Sequence, residues 1–573
     1  MKLFGIFGIA LIFCFAVLGC PATPVDEDDI PDLTDSGVGS IVITAHPASI
    51  DYVEGDTIDP LTVAAAVSGG GTLSYQWHSN TSYASTGGTA INDATSASYA
   101  PPNQAEAFYY VVVANTVDVD GTPATKTVNS NPARIRVLSS APAAPAASLT
   151  VTANKHQYVR GFGGMSDVWT SPDMTVKDIE TMFNPVTGLG LNMLRICLYP
   201  YMDDIINNIE IPTKNSSDWY NLVKVVNKHN GYVLASPWTP PAEWKNTGDR
   251  NGGSHLLEAY YGTYANHLKE FAQRMLDNGA PIYAVSIQNE PNFQAAYDGC
   301  EWTAAQQQKF FKEQGHFTDG VKGFGGGKEI PTVLTMTGEV ANTVSWNNAA
   351  LNDPDASKNI DIVGYHIYGS LESRYANALD NPTKPKETWM TEHNLNTPGD
   401  YVSDSSWAKV WIFVDEVNHC IANNDSAAFI WWYAKRFYSF IGDGEYGTIE
   451  GEPLWRGWAM SHFAKYASDT TRVDLTADGI TNFGNGTTNI VKGTAYESMD
   501  GNAYTLVFYN KGNSEVGDIQ INLPAGFTAS NASAVITDGT SKQAPHLIAL
   551  SRDKKSGVVT LPASAIISVK FVK

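Results

Sequence analysis

The hydrophobic rhythm of this 573-residue chain changes twice. Between residues 41 and 138 apolar and polar positions alternate in short runs. Ile41-Val42-Ile43-Thr44, Leu73-Ser74-Tyr75-Gln76-Trp77, Phe108 to Val113 and Ala133-Arg134-Ile135-Arg136-Val137 each read as a strand, separated by Gly, Asn, Ser and Pro clusters. Ala141 to Ala147 (APAAPAA) then forms a semi-rigid Pro/Ala linker. Beyond it, short apolar runs alternate with helical segments. Eight runs lie near 159–163, 192–198, 232–236, 282–288, 332–337, 360–366, 388–391 and 427–432, each ending in polar or aromatic residues. One intervening helix carries Tyr264, Leu268, Phe271 and Met275 on a single face and stops at Gly279. Another begins at Thr303, with Gln306 placed for a capping box. Eight such repeats predict a (β/α)8 TIM barrel over residues 157–468. After Ser468 the helices vanish. Residues 469–573 alternate, as in Ala503-Tyr504-Thr505-Leu506-Val507-Phe508, and predict a side β-sandwich. The strand at 148–156 is expected to join that sandwich, because it precedes the barrel.

The N-terminus adds targeting signals. Lys2 and the apolar run from Leu3 to Leu18 read as an export signal, too short to span a bilayer. Val17-Leu18-Gly19-Cys20 resembles a bacterial lipobox, which implies a lipidated Cys20 within a 1–20 signal peptide. An ordinary signal peptide with an incidental cysteine is the alternative. Residues 21–40 are acidic and predict a disordered tether. Residues 41–138 resemble bacterial immunoglobulin-like modules, which do without an intersheet disulfide, and 139–147 are the linker. The module is expected to act as a spacer. The chain is expected to be exported, as a cell-surface or outer-membrane lipoprotein or else as an extracellular protein. It would touch membrane only through the lipid, and be a monomer.

Composition narrows the partners. Charged residues make up only 17% of the chain and the net charge is −22, which excludes nucleic acid as a partner because phosphates demand a basic footprint. Apart from Cys14 and Cys20 in the leader, Cys197, Cys300 and Cys420 are widely spaced, with no zinc-finger pattern. Buried free thiols are expected, with no metal and no cofactor.

Functional residues of a (β/α)8 barrel lie where its strands end. The fourth run ends Ser286-Ile287-Gln288-Asn289-Glu290-Pro291, and the seventh ends Trp389-Met390-Thr391-Glu392-His393. Each therefore places one glutamate at the mouth, on nearly opposite walls. Two such carboxylates are what glycoside hydrolysis needs: one donates a proton to the leaving oxygen and the other, about 5 Å away in retaining enzymes, attacks the anomeric carbon. Asn289 is suited to a hydrogen bond with the sugar 2-hydroxyl. Arg195, on the second run, is suited to an ion pair with Glu392. His366 and Tyr368 end the sixth run and are placed to orient Glu392. Glu339 ends the fifth and reads as a supporting carboxylate. Trp238, Trp432, Trp169 and Trp302 offer aromatic faces on which sugar rings stack, with core packing as the competing role.

Asn-Glu-Pro on strand 4 with Glu on strand 7 resembles clan A glycoside hydrolases, and the flanking motifs resemble glycoside hydrolase family 30. They are Arg160-Gly161-Phe162-Gly163-Gly164-Met165, Leu194-Arg195-Ile196, Ala235-Ser236-Pro237-Trp238, Trp389-Met390-Thr391-Glu392, Ile430-Trp431-Trp432-Tyr433 and Met460-Ser461-His462-Phe463. The resemblance covers 148–573, including the fused side β-domain of that family. It implies Glu290 as acid/base and Glu392 as nucleophile. Within the family, the chain is similar to bacterial glucuronoxylan endo-β-1,4-xylanases. That similarity puts Arg436 and Tyr438, in Trp432-Tyr433-Ala434-Lys435-Arg436-Phe437-Tyr438, on the glucuronate branch of a polysaccharide substrate, with Thr397 where the family uses a serine hydroxyl.

Two features depart from that pattern. Position 394 is Asn where an aromatic is expected. The loop from Gly442 to Glu452 is acidic, and Asp443, Glu445, Glu450 and Glu452 would repel an anionic branch unless they point away. A family 30 enzyme of other specificity, a plain xylanase or β-1,6-glucanase, therefore stays open. So does a non-catalytic polysaccharide-binding surface lipoprotein.

Overall fold

A computed structural model describes residues 38–67, 70–119, 122–166, 174–201, 216–369, 371–395 and 406–573. Cys20, Trp169 and Thr397, with the signal peptide and the tether up to residue 37, lie outside the described residues.

Eight parallel strands close into a barrel: β1 (Gly161–Met165), β2 (Met193–Leu198), β3 (Tyr232–Pro237), β4 (Ala284–Ser286), β5 (Leu334–Met336), β6 (Ile362–His366), β7 (Glu387–Glu392) and β8 (Ala428–Tyr433). Closure runs through β1 and β8, where Gly161 faces Ala428 and Gly163 faces Ile430. The first three strands are buried at every position, as expected where helices cover the outside and side chains fill the inside. Met193, Leu234, Tyr283, Met336, Trp389 and Ile430 are among the residues that form the interior. Its lower end is plugged by Arg160, whose guanidinium lies over the Tyr158, Tyr232 and Tyr283 rings and pairs with Glu387 at 2.6 Å.

The helices start and stop where local chemistry dictates. The helix Tyr261–Asp277 buries Tyr264, Leu268, Phe271 and Met275. It ends in a Schellman motif: Gly279 adopts φ +70°, its N–H donates to the Leu276 carbonyl, and that of Ala280 donates to Met275, each at 2.9 Å. The helix Ala304–Gln314 carries both halves of the Thr303–Gln306 capping box.

β4 and β5 are shorter than the sequence pattern predicts. The chain leaves the ladder at Gln288 to Glu290, where only an isolated bridge joins Asn289 to Glu339. That departure frees the side chains after β4 to point at the barrel mouth.

The side domain and the N-terminal module are one continuous structure. Strand Ala147–Val159 lies inside the side sheet, antiparallel to Thr470–Asp478 and parallel to Gly517–Asn522. Strand Ser49–Val53 of the module pairs in parallel with Ile548–Leu550, extending that sheet into the module. One apolar core runs across the junction from Trp77 and Ile50 to Leu550 and Phe571. Arg552 pairs with Asp56, and Lys554 with Asp59 at 3.3 Å. The module's strand edge is thereby covered by the side domain. Cys197, Cys300 and Cys420 are buried free thiols.

Candidate active site

Arg195 organises the barrel mouth. It projects from β2, fully buried. Its Nη1 donates to Glu392 Oε2 at 2.6 Å, and its Nη2 to Asn289 Oδ1 at 2.6 Å. Nη2 also pairs with Glu339 Oε2 at 3.0 Å, and Nε donates to Ser236 Oγ at 3.0 Å. Only a planar fork reaches side chains on β3 and β7 and in the turns after β4 and β5 together. The Arg195 guanidinium carbon lies 4.8 Å from the centroid of the Trp238 ring, a cation–π contact.

Glu392, the last residue of β7, is buried. Its second oxygen, Oε1, accepts from the Tyr368 hydroxyl at 2.8 Å. Burial pushes the carboxyl above its ordinary value, His366 and Arg195 oppose that, and the nearby Glu290 adds to it. Glu290 stands across the mouth at φ +45°, a left-handed conformation costing on the order of 1–3 kcal/mol for a non-glycine residue. The Glu290 N–H donates to the Glu339 carbonyl at 3.0 Å, which helps fix that turn. His366 Nδ1 lies 3.0 Å from Glu290 Oε1, so His366 orients Glu290, and Tyr368 rather than His366 holds Glu392. His366 Nε2 remains 4.0 Å from Glu392 Oε2.

Glu290, His366 and Glu392 bring one ligand atom each within 4.8 Å of one another. A cation fits that spacing in principle. Both Glu392 oxygens are already engaged, however, and the Arg195 charge beside them opposes a second cation.

Glu339 is fully buried. Its carboxyl is held below the ordinary value because Arg195, His366 and the Ser236 and Ser286 hydroxyls outweigh burial. Its placement depends on a glycine: a Cβ at Gly364 would lie 2.8 Å from Glu339 Cγ. Glu339 thus balances the Arg195 charge from below, while Glu392 faces the opening.

The aromatic candidates divide. Trp432 is half-buried, 6.1 Å from Trp238. Trp238 is itself buried under Arg195. Trp302 is a correction: it packs between Tyr261, Tyr264 and Phe310 in the core and presents almost no surface to a sugar. Tyr438, expected on the branch through its hydroxyl, is buried with that hydroxyl against Arg436. Phe293 and Tyr297, both exposed, follow Glu290 in the β4 loop. Partial burial of the hydroxyl, with the charges of Glu290 and Glu392, pushes the Tyr297 hydroxyl up to about 12 even though the residue as a whole is exposed. Their position just after a strand-4 carboxylate is a signal legible in the sequence.

Arg436 occupies the same rim. It follows the end of β8 at Tyr433 by three residues, and Tyr438 contacts it. Arg436 Nη1 donates to Asp443 Oδ2 at 3.2 Å. Lys435 pairs with Glu450 at 3.0 Å and with Asp178 at 2.9 Å. Two of the four loop acids, Asp443 and Glu450, are therefore paired within the protein, Glu450 with a lysine it shares with Asp178.

Two carboxylates facing each other from strands 4 and 7, with an arginine fork behind one of them, define a two-carboxylate glycoside hydrolase barrel. The profile described as "Glycosyl hydrolase family 30 TIM-barrel domain" matches residues 201–392. The glucuronoxylanase XynC of Bacillus subtilis strain 168 is 31% identical over 412 residues, covering 70% of this chain and 86% of that protein. Among solved structures, the family 30 subfamily 8 xylanase Xyn30A from Clostridium acetobutylicum aligns at TM-score 0.62 and 26% identity, covering 74% of this chain and all of that one. A GH30 endoxylanase from Clostridium papyrosolvens aligns at TM-score 0.59 and 24% identity, again over 74% of this chain and all of that one, which shows the shared fold. The chain belongs to glycosyl hydrolase family 30 and is a glycoside hydrolase.

Proposed function

We propose that this enzyme is a retaining endo-β-1,4-xylanase acting on glucuronoxylan. The observation that carries the reading is the pair of facing carboxylates, Glu290 and Glu392, with oxygens within 4.8 Å of each other. That spacing leaves no room for a water between carboxylate and sugar, as an inverting enzyme needs, and suits direct attack. Glu392 is the nucleophile. Arg195 and Tyr368 engage one oxygen each, which fixes the carboxylate and stabilises its charge against burial. Glu290 is the acid/base, oriented by His366. It protonates the leaving oxygen as the glycosyl–Glu392 bond forms, then deprotonates the water that releases the sugar. Arg195 holds the oxygen of the Asn289 amide, so the amide nitrogen is the atom presented to the 2-hydroxyl. Trp432 and Tyr297 contribute stacking surface. Arg436 meets the glucuronate branch. The relative named glucuronoxylanase XynC supports that substrate class.

Parallel digestion of glucuronoxylan and unbranched xylan tests the reading. Short xylo-oligosaccharides are expected from glucuronoxylan, with retention of anomeric configuration. Turnover of neither polymer would contradict it.

A further inference from the structure

The Arg436–Asp443 pair bears on substrate choice, and this inference rests on the xylanase reading above. Arg436 is one-third exposed on the cleft rim, whereas the Asp443 side chain beneath it is completely buried. Asp443 cannot swing away when substrate arrives. Its Oδ1 accepts from the Glu445 N–H at 3.1 Å and lies 3.5 Å from the Thr448 hydroxyl. The loop that carries it is closed on itself, because the Gly442 N–H donates to the Glu452 carbonyl and the Gly451 N–H to the Gly442 carbonyl, each at 2.9 Å. The tip is packed down by Tyr446, whose ring lies 4.4 Å from Phe437. Glu445 and Glu452, exposed on the same loop, add negative field, and the neighbouring Lys435 is balanced by Asp178 and Glu450.

A substrate carboxylate reaching Arg436 must therefore share one guanidinium with a resident carboxylate and meet that carboxylate's repulsion. An unpaired arginine would give an acid branch a full charge-assisted pair. A pre-neutralised one gives it much less. We propose that Asp443 is a specificity-determining residue, a built-in stand-in for the branch carboxylate that makes the acid branch an optional contact. The enzyme then cleaves neutral stretches of xylan nearly as well as acid-branched ones. Asp443 touches Arg436 and no reacting atom, so it sets selectivity without being catalytic.

The test compares kcat/KM on glucuronoxylan with kcat/KM on the same polymer after carboxyl reduction, which turns each acid branch into a neutral sugar of similar shape. Wild type is expected to favour the acid polymer by less than about threefold. Asp443→Asn keeps the Oδ1 acceptor and removes the charge, and should raise that preference roughly tenfold, the scale of one charge-assisted pair. In an Arg436→Ala background, Asp443→Asn should leave the preference unmoved, which separates the electrostatic role from a disturbed loop. Circular dichroism of each variant confirms folding, and Asp443→Ser repeats the comparison if the Asn variant is unfolded. The proposal is overturned by an unchanged preference in the folded Asp443 variants, or by wild type already favouring the acid polymer a hundredfold. Absence of wild-type turnover on both polymers overturns the xylanase reading, and this inference with it.

Discussion

Arg195→Met is the most informative single perturbation, because two buried carboxylates depend on that residue. Arg195 and Glu339 are fully buried and the Glu392 side chain is 8% exposed. Methionine fills most of the arginine volume, so the lost term is charge rather than packing. Breaking a buried pair by removing one partner costs about 3–5 kcal/mol, because it leaves an uncompensated charge. The distinctive signature is the pH dependence. In wild type, Glu339 is held below its ordinary value, so it contributes stability that is lost only as pH falls through that lowered value. Without Arg195, Glu339 moves above the unfolded value of about 4.3, and Glu392, already raised by burial, rises further. Groups raised in the folded state stabilise at low pH and lose that contribution as pH rises. Each adds a slope of about −1.4 kcal/mol per pH unit between its unfolded and folded values. The gap between wild type and variant should therefore be small near pH 5 and grow toward pH 8. Urea unfolding of the intact chain, followed by tryptophan fluorescence at several pH values, reads this directly. Adding Glu339→Gln should remove one of the two carboxylates and about halve the slope. A gap that is independent of pH, or below about 1 kcal/mol at pH 8, would refute the reasoning.

Other predictions probe the remaining parts. Glu290→Gln should lower kcat on xylan by roughly 10²- to 10⁴-fold yet spare glycosylation by an aryl xylobioside whose leaving group needs no proton, as burst kinetics would show. Tyr368→Phe removes the hydroxyl bonded to Glu392 Oε1 at 2.8 Å, so kcat should fall about tenfold. Burial already raises the Glu392 carboxyl, so the acidic limb of kcat/KM in that variant should move to still higher pH; a limb moving to lower pH would contradict the assignment. Ile50→Asp puts a charge at the strand junction opposite Leu550, and should lower the unfolding midpoints of module and side domain together; calorimetry showing the module melting alone would contradict a shared core.

Much of the barrel was legible because its signals are local. Strand runs, the Gly279 stop and the Thr303 capping box need only a few neighbouring residues to be read. Glu290, Glu392, Asn289 and Arg195 were legible because strand ends converge at the mouth of a barrel, so position along each run fixes position in space. What escaped the sequence is long-range pairing. Nothing around Ser49 announces Ala549 as its partner 500 residues later. The acidic loop read as a repulsive patch because charge counts do not reveal that Arg436 and Lys435 turn back onto Asp443 and Glu450. Trp302 shows the limit of reading aromatics by type: its place just ahead of a helix cap carries it into the core. His366 went to the wrong carboxylate for a similar reason, since strand order places it beside both glutamates and only side-chain geometry decides between them.

The central claim is that Glu392 attacks the sugar while Glu290 moves the proton. Trapping the intermediate tests it most directly. The full-length enzyme would be incubated with a 2-deoxy-2-fluoro-xylobioside bearing an activated leaving group, digested, and mapped by mass spectrometry. The account predicts a covalent glycosyl adduct on the peptide containing Glu392 and none on the peptide containing Glu290. An adduct on Glu290, or product released with inverted configuration and no adduct, would contradict it.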